Sequence, residues 1–460
     1  MNRPEPIAAP VAAEVPDGLA NPQRLLAFAT LGMAITMAVL DGNIVNVALP
    51  TMARGFGVAP ESAIWIVNAF QLAVTVSLLP LAALGDMLGY RRVYWWGLAV
   101  FTVASLGCAL APSFTLLTFA RLVQGVGAAG IMSVNIALIR FIYPHSKLGQ
   151  GVGNMAVVVA VASAASPSVA AAILSVASWH WLFLVNVPVG ALALAMAART
   201  LPATPRAGGR LDIQSVVLNA LALGLIIAGI NRIGQGGSLW PGFVEIAVGA
   251  AIGVILVRRQ LRLPAPLLPV DLLRRPVFAL SLATSISSFG AQTLALVALP
   301  FYFQDALGRS AAATGLLLTS WPVATALIAP IAGRLADRFI PGILGSIGLL
   351  VMGSGLALVA LDIGNPDPGS LVWRLAICGL GFGFFQSPNN RVIIGSAPRE
   401  RSGGAAGLQS TGRLIGQSLG AAFVAVAFGR ATGHATSIAL WGAAALTVAG
   451  ACASGLRRAK

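Results

Sequence analysis

Leu40-Asp41-Gly42-Asn43-Ile44-Val45-Asn46-Val47-Ala48-Leu49-Pro50 lies inside an otherwise apolar run that begins near Leu25. A run of that length crosses a bilayer as a helix, because roughly 20 apolar residues at about 1.5 Å each match the hydrocarbon thickness. Asp41 is the anomaly within it. A carboxylate at the centre of such a helix costs about 2.5–3.5 kcal/mol on insertion scales unless it is protonated or paired. Either Asp41 titrates while the protein works, or it forms a fixed ion pair that only holds two helices together.

The composition extends this reading to the whole chain. The 460 residues are 57% hydrophobic and 9% charged, with a mean hydropathy of +0.86, which places the chain among all-α integral membrane proteins. The 52 glycines suit close helix packing in lipid, where small residues let backbones approach. A formal charge of +15 raises nucleic acid as a partner. Lys and Arg, however, stand in short clusters at the ends of apolar runs, which is a topology signal and not a nucleic-acid face. Cys108, Cys378 and Cys452 sit in apolar segments without metal-like spacing and read as buried inert thiols, and His145, His180 and His434 are too scattered to form a metal site. No nucleotide-binding loop, Ser/His/Asp set or redox motif stands in the sequence. An enzyme is therefore not expected, nor any cofactor.

Apolar stretches place helices near 25–49, 62–84, 93–111, 114–139, 150–174 and 180–198, then two near 213–231 and 241–257, then six near 277–301, 311–333, 341–361, 371–391, 404–428 and 434–456. The expected organisation is a disordered tail (1–24), rich in Pro and Ala without a signal-peptide layout, an N-terminal six-helix bundle (25–198), a linker carrying two extra transmembrane helices (199–262), a C-terminal six-helix bundle (263–456) and a short tail (457–460). Alternating the fourteen crossings puts only Arg54, Arg232, Arg309, Arg374 and Arg430 on one side; Arg121 and Arg413 lie within helices, and every other Lys and Arg falls on the side of the termini. By the positive-inside rule both termini are cytoplasmic in a multi-pass plasma-membrane protein. A weak repeat supports paired halves: Gly85-Asp86-Met87-Leu88-Gly89-Tyr90-Arg91-Arg92 after the second helix matches Gly333-Arg334-Leu335-Ala336-Asp337-Arg338 after the second helix of the later set.

These stretches carry a family resemblance. Leu40-Asp41 with Ile44 to Pro50 resembles the first-helix signature of the major facilitator superfamily's fourteen-helix drug:proton antiporters, the EmrB/QacA type. Arg121-Leu122-Val123-Gln124-Gly125-Val126-Gly127 is similar to the fourth-helix motif of proton-coupled members, and the Asp86 stretch to the superfamily's loop motif. Ser166-Pro167-Ser168 stands where the fifth-helix antiporter motif has Gly-Pro, keeping only the Pro. Trp179 to Gly190 and the Gly-rich Gly379 to Asn390 look like family stretches as well.

The resemblance implies a major facilitator fold and assigns roles residue by residue. Asp41 and Arg121 would couple protons, and simple rise places both about 11 Å below the same face. Asp86, Gly89, Arg91 and Arg92, with Asp337 and Arg338 in the second half, would form a conformational gate, and Pro167 would mark the antiporter helix. Asn68, Gln71, Gln124, Gln292 and Gln386 are amides at lipid depth, each readable as substrate contact or as interhelical glue. With almost no acid besides Asp41 in the helices, a dication pump is disfavoured. The expected function is proton-coupled efflux of a hydrophobic or weakly charged small molecule, a drug or metabolite, by a monomer. A proton symporter or importer on the same fold, or a membrane sensor that transports nothing, remain alternatives, and a channel is disfavoured because no charged ring or carbonyl filter stands in the sequence.

Overall fold

A computed structural model describes residues 17–204, 211–234, 238–263, 270–336, 338–364, 367–396, 402–431 and 433–457. Among them are fourteen long helices and no strand: α1 (Gln23–Phe56), α2 (Trp65–Leu88), α3 (Tyr90–Ala109), α4 (Phe114–Ile142), α5 (Leu148–Val176), α6 (Asn186–Thr200), α7 (Ile213–Gly234), α8 (Leu239–Gln260), α9 (Pro276–Phe301), α10 (Ala311–Leu335), α11 (Pro341–Leu361), α12 (Pro368–Ser396), α13 (Ser402–Arg430) and α14 (Ala435–Gly455). Thirteen of these segments are long and apolar enough to cross a membrane; α3 falls short because its first two turns carry Arg91, Arg92, Tyr94, Trp95 and Trp96.

Boundaries differ from the sequence reading where proline or a polar residue misleads. α1 does not stop at Leu49. It runs through Pro50 to Phe56 and ends on Gly57, whose positive φ of 64° lets its N–H turn back to the carbonyls of Ala53 and Arg54. Proline inside a membrane helix is tolerated when neighbours serve the disturbed backbone, and Gln304 Nε2 donates to the Val47 carbonyl at 2.7 Å. The segment read as one helix over 180–198 is divided at Val185 into a short turn, His180–Leu184, and α6. Cys452 is exposed, contrary to the expectation of three buried thiols, because α14 packs only one face on α9 and α11 and Cys452 lies off it.

Glycine sets the helix spacing. A Cβ on Gly97 would lie 2.8 Å from Gly130 Cα, and one on Gly127 would lie 2.4 Å from Phe101 N, so α3 and α4 touch backbone to backbone. A Cβ on Gly125 would meet the Phe70 carbonyl at 2.5 Å, which sets α2 against α4. α7 and α8 pack on each other and are tied at both ends, by Asp212–Arg259 at 2.9 Å and Arg232–Glu245 at 2.7 Å. α7 then lies against α2 and α13, with Asn68 Nδ2 donating to Asn231 Oδ1 at 3.3 Å.

The two ends of the molecule are unlike. At the end away from the termini, one continuous apolar cluster joins Ile44 to Ala53 of α1 with Ala291 to Phe303 of the α9 segment and with Ala421 to Ala427 of α13. At the end of the termini the apolar core is split, one cluster built on α1, α3 and α4 and another on α9, α12 and α13. Charge is unlike as well. Of the five cations at the far end, Arg54, Arg232 and Arg374 are neutralised by Asp305, Glu245 and Asp362, while at the termini end Arg259 pairs with Asp212.

If backbone contact at α3/α4 fixes the N-terminal helices, Gly127→Val overpacks by more than the usual 1–3 kcal/mol. It should lower the apparent melting temperature of the purified protein in detergent by several degrees, while Gly442→Val, which meets nothing within 4 Å, should leave it unchanged.

Candidate functional site

Asp41 sits in the middle of α1, 1% exposed, and the structure supplies the cation that its burial demands. Arg121, about two turns below the start of α4 and fully buried, donates through Nη1 to Asp41 Oδ2. The guanidinium is held on its other sides too. Nε donates to the Ile66 carbonyl on α2 at 3.2 Å, and Phe70 lies under the cation with its ring centroid 4.1 Å from Cζ. Arg121 Nη2 is buried without a partner.

Gln124, one turn further along α4, links the pair to a third helix. Its Oε1 accepts from Arg121 Nη1 at 2.7 Å, and its Nε2 donates to Asp41 Oδ1 at 3.0 Å and to Ser105 Oγ of α3 at 2.8 Å. Asn186, the first residue of α6, donates from Nδ2 to Asp41 Oδ1 at 2.9 Å. The carboxylate thus accepts from Arg121, Gln124 and Asn186. In this state every contact to Asp41 is a donor, an arrangement that suits an anion. No acceptor stands against the carboxylate in this packing among the described residues, so its two oxygens serve only as acceptors.

α1 also reaches the far end. Three turns along from Asp41, Thr51 Oγ1 donates to Gln304 Oε1 at 3.1 Å, and Arg54 pairs with Asp305. Gln304 and Asp305 stand on a π-helical turn, Tyr302–Ala306, that continues α9 and presents them to α1. The helix holding the buried acid is therefore also the helix that closes the far end against the other half of the molecule.

The remaining predicted residues fall in several places. Gln124 belongs to the charge cluster and is fully buried there. Asn68 bridges to α7, while Gln71 is buried on α2 with Oε1 unpartnered. Gln292 on α9 and Gln386 on α12 are half-buried. Pro167 lies inside α5, where its carbonyl meets Gly315 of α10 so closely that a Cβ there would stand 2.5 Å away, and Ser168 Oγ is 2.8 Å from Thr319 Oγ1. Asp86 is exposed and accepts from Tyr90 Oη; it makes no ion pair among the described residues. Gly89 has a φ of 94°, which only glycine adopts readily, and joins α2 to α3. Arg91 Nη2 donates to the Ala198 carbonyl at 2.5 Å, and Arg92 and Arg338 are exposed. Asp337 lies outside the described residues.

Asn186 and Ser105 escaped the sequence reading. Asn186 was inside a stretch already singled out, Trp179 to Gly190, and the usable signal was an amide at the start of an apolar helix. Ser105 gave none. Arg457 was read as a surface charge but is 4% exposed, with Nη1 donating to Asn389 Oδ1 at 2.6 Å and to Ser281 Oγ at 3.0 Å.

Comparison with known proteins fits this architecture. The sequence profile of the Major Facilitator Superfamily matches residues 31–421. The chain belongs to that superfamily. It is 53% identical over 443 residues to the uncharacterized transporter YebQ of Escherichia coli (strain K12), covering 96% of this chain and 97% of that one. It is 30% identical over 408 residues to the multidrug resistance protein Stp of Mycobacterium tuberculosis (strain CDC 1551 / Oshkosh), covering 87% and 75%. Among solved structures, a bacterial homolog of the human lysosomal transporter Spinster superposes with a TM-score of 0.70 at 15% identity, over 95% of this chain and 97% of the other. The protein is thus a membrane transporter of the major facilitator fold.

Removing one member of a buried ion pair costs about 3–5 kcal/mol, because the other is left uncompensated. Asp41→Leu and Arg121→Met should each destabilise by that order in chemical denaturation of the detergent-solubilised protein, and the double variant should lose clearly less than their sum. Asp41→Asn, which keeps an oxygen for Arg121, should stay folded.

Proposed function

We propose that the chain is a proton-coupled exporter of the fourteen-helix EmrB/QacA type, moving a hydrophobic or weakly charged small molecule out of the cell as protons enter. The observation that carries this reading is the buried Asp41 carboxylate, surrounded by donors, on the helix that also closes the far end. Protonation weakens the attraction to Arg121 and Gln124, frees α1 to shift, and so favours a second packing of the two halves. Loss of the proton restores the state described above. The multidrug resistance name of the 30% identical relative supports export as the direction.

In this reading α1 to α6 and α9 to α14 form two six-helix bundles with the ion-tied pair α7/α8 inserted between them in sequence. Packing supports it: α5 meets α10 and α2 meets α13 across the halves, while α7 and α8 contact each other first. The excess of Lys and Arg at the termini end supports cytoplasmic termini in the plasma membrane. The Gly89 turn with Asp86, Arg91 and Arg92, and its counterpart at Asp337 and Arg338, is the proposed gate of the opposite state, and a single chain is the proposed working unit.

Each proton entering down the membrane potential supplies about 2.3 kcal/mol per 100 mV, enough for roughly a 50-fold substrate gradient per 100 mV. In inverted vesicles energised with an acid interior, addition of a transported compound should release protons from the lumen. Asp41→Asn should be present in the membrane at the wild-type level yet fail to accumulate that compound uphill. Normal accumulation by this variant refutes the assignment, and substrate-driven proton movement in the opposite sense establishes symport.

A further inference from the structure

Arg413 stands near the middle of α13, eleven residues from Ser402 and seventeen from Arg430, or about 16 Å and 25 Å at 1.5 Å per residue. A second cation at this depth demands a partner as Arg121 did, and here none stands among the described residues. Among the described residues no ion pair and no hydrogen bond engages Arg413, and its Nε is buried and unsatisfied. The acids within the long helices are already placed elsewhere: Asp41 on Arg121, Glu245 on Arg232, and Asp86 exposed at the end of α2.

The direction in which Arg413 points follows from what the other faces of α13 touch. Gly412, Gly416 and Gly420 lie so close to α9 that a Cβ on them would approach Leu282, Ile286 and Gly290 to within 2.5 Å. Ala422 packs against Ile227 and Ile230 of α7, and at about 100° per residue Arg413 is diametrically opposite it. Leu414 joins the apolar cluster of α1 to α4 and Gly407 faces Leu79 of α2. The sector left over lies between the contacts to α9 and those to α2. It carries Gln409, Ser410, Arg413 and Gln417, all half-buried, and Gln409 Nε2 donates to Asn390 Oδ1 of α12 at 2.5 Å, so the stripe is polar and ordered.

A guanidinium with open donors, at mid-depth, in that sector, among amides, is an anion receptor. We infer that Arg413 binds the acidic group of the transported molecule, which makes the substrate class amphipathic organic anions, a carboxylate or sulfonate on an apolar body. The inference rests on the transporter reading above and narrows its substrate. Gln409 and Gln417 flank the anion and orient it, while the apolar body lies along the interior walls.

The test is equilibrium binding to the purified full-length protein in detergent, with no gradient present, using matched aromatic pairs of differing size: 1-naphthoate with 1-naphthamide, 2-anthracenecarboxylate with its amide, and biphenyl-4-sulfonate with its sulfonamide. At least one acid should bind wild type tenfold or more tightly than its neutral partner. Arg413→Gln should abolish that preference and leave the neutral compound's affinity unchanged, and Arg413→Lys should restore part of it. Two results overturn the assignment: no acid in the panel preferred over its neutral partner by wild type, or a preference that survives Arg413→Gln in a protein of unchanged melting temperature. Proton release on addition of the bound acid to energised inverted vesicles is read separately. Charge preference without proton movement leaves the anion site standing and removes the coupled-export reading; proton movement with neutral compounds alone does the reverse.

Discussion

A charge placed where lipid or packed protein excludes water must be compensated, and the Asp41–Arg121 pair is where this chain meets that constraint. The compensation is not a simple two-body bridge. Four helices of one half contribute to it: α1 the acid, α4 the cation and Gln124, α3 the Ser105 hydroxyl and α6 the Asn186 amide, with the α2 backbone receiving Arg121 Nε. Because the donors to the carboxylate are anchored to two helices, α4 and α6, the ionisation state of a single carboxyl on α1 bears on how the three pack.

That arrangement gives α1 two duties that no other helix combines. Its centre holds the acid, and its last turns hold Thr51 and Arg54 against Gln304 and Asp305 of the opposite half. Between them lie Ile44 to Met52, packed in an apolar cluster shared with α9 and α13. A small shift of α1 therefore acts on the far-end closure directly, without a relay through side chains in between. Pro50 sits in this stretch, and its placement within a continuous helix leaves α1 locally less constrained at the point where the two duties meet.

Much of this was legible in the sequence, and for physical reasons. Membrane helices announce themselves by length and hydropathy, so fourteen segments could be placed to within a few residues, and a lone acid in such a segment is costly enough to be conspicuous. Arg121 was found the same way. The misreadings share a different cause. The apolar window over 25–49 stops at Pro50, whereas the helix continues to Phe56 because neighbouring helices serve the backbone there. Asn186, Ser105 and Asn389 were passed over because a neutral polar residue in an apolar run is cheap and common, and only three-dimensional packing shows which of them aim at a charge. Arg457 was counted as topogenic because it lies beyond the last apolar residue, yet it folds back among Ser281, Thr284, Asn389 and Ser454. Arg413 was noticed as an intrahelical cation, but its meaning depended on α13's other faces being occupied.

The central claim is that Asp41 changes protonation as the transporter changes shape. Infrared difference spectroscopy of the protein in lipid, titrated between neutral and acid pH, observes this directly. The account predicts a carboxyl C=O band that appears on acidification, reverses on return to neutral pH, and is missing in Asp41→Asn. A spectrum in which no such band depends on Asp41, so that the carboxylate stays ionised throughout, would contradict it and leave the pair as a structural brace.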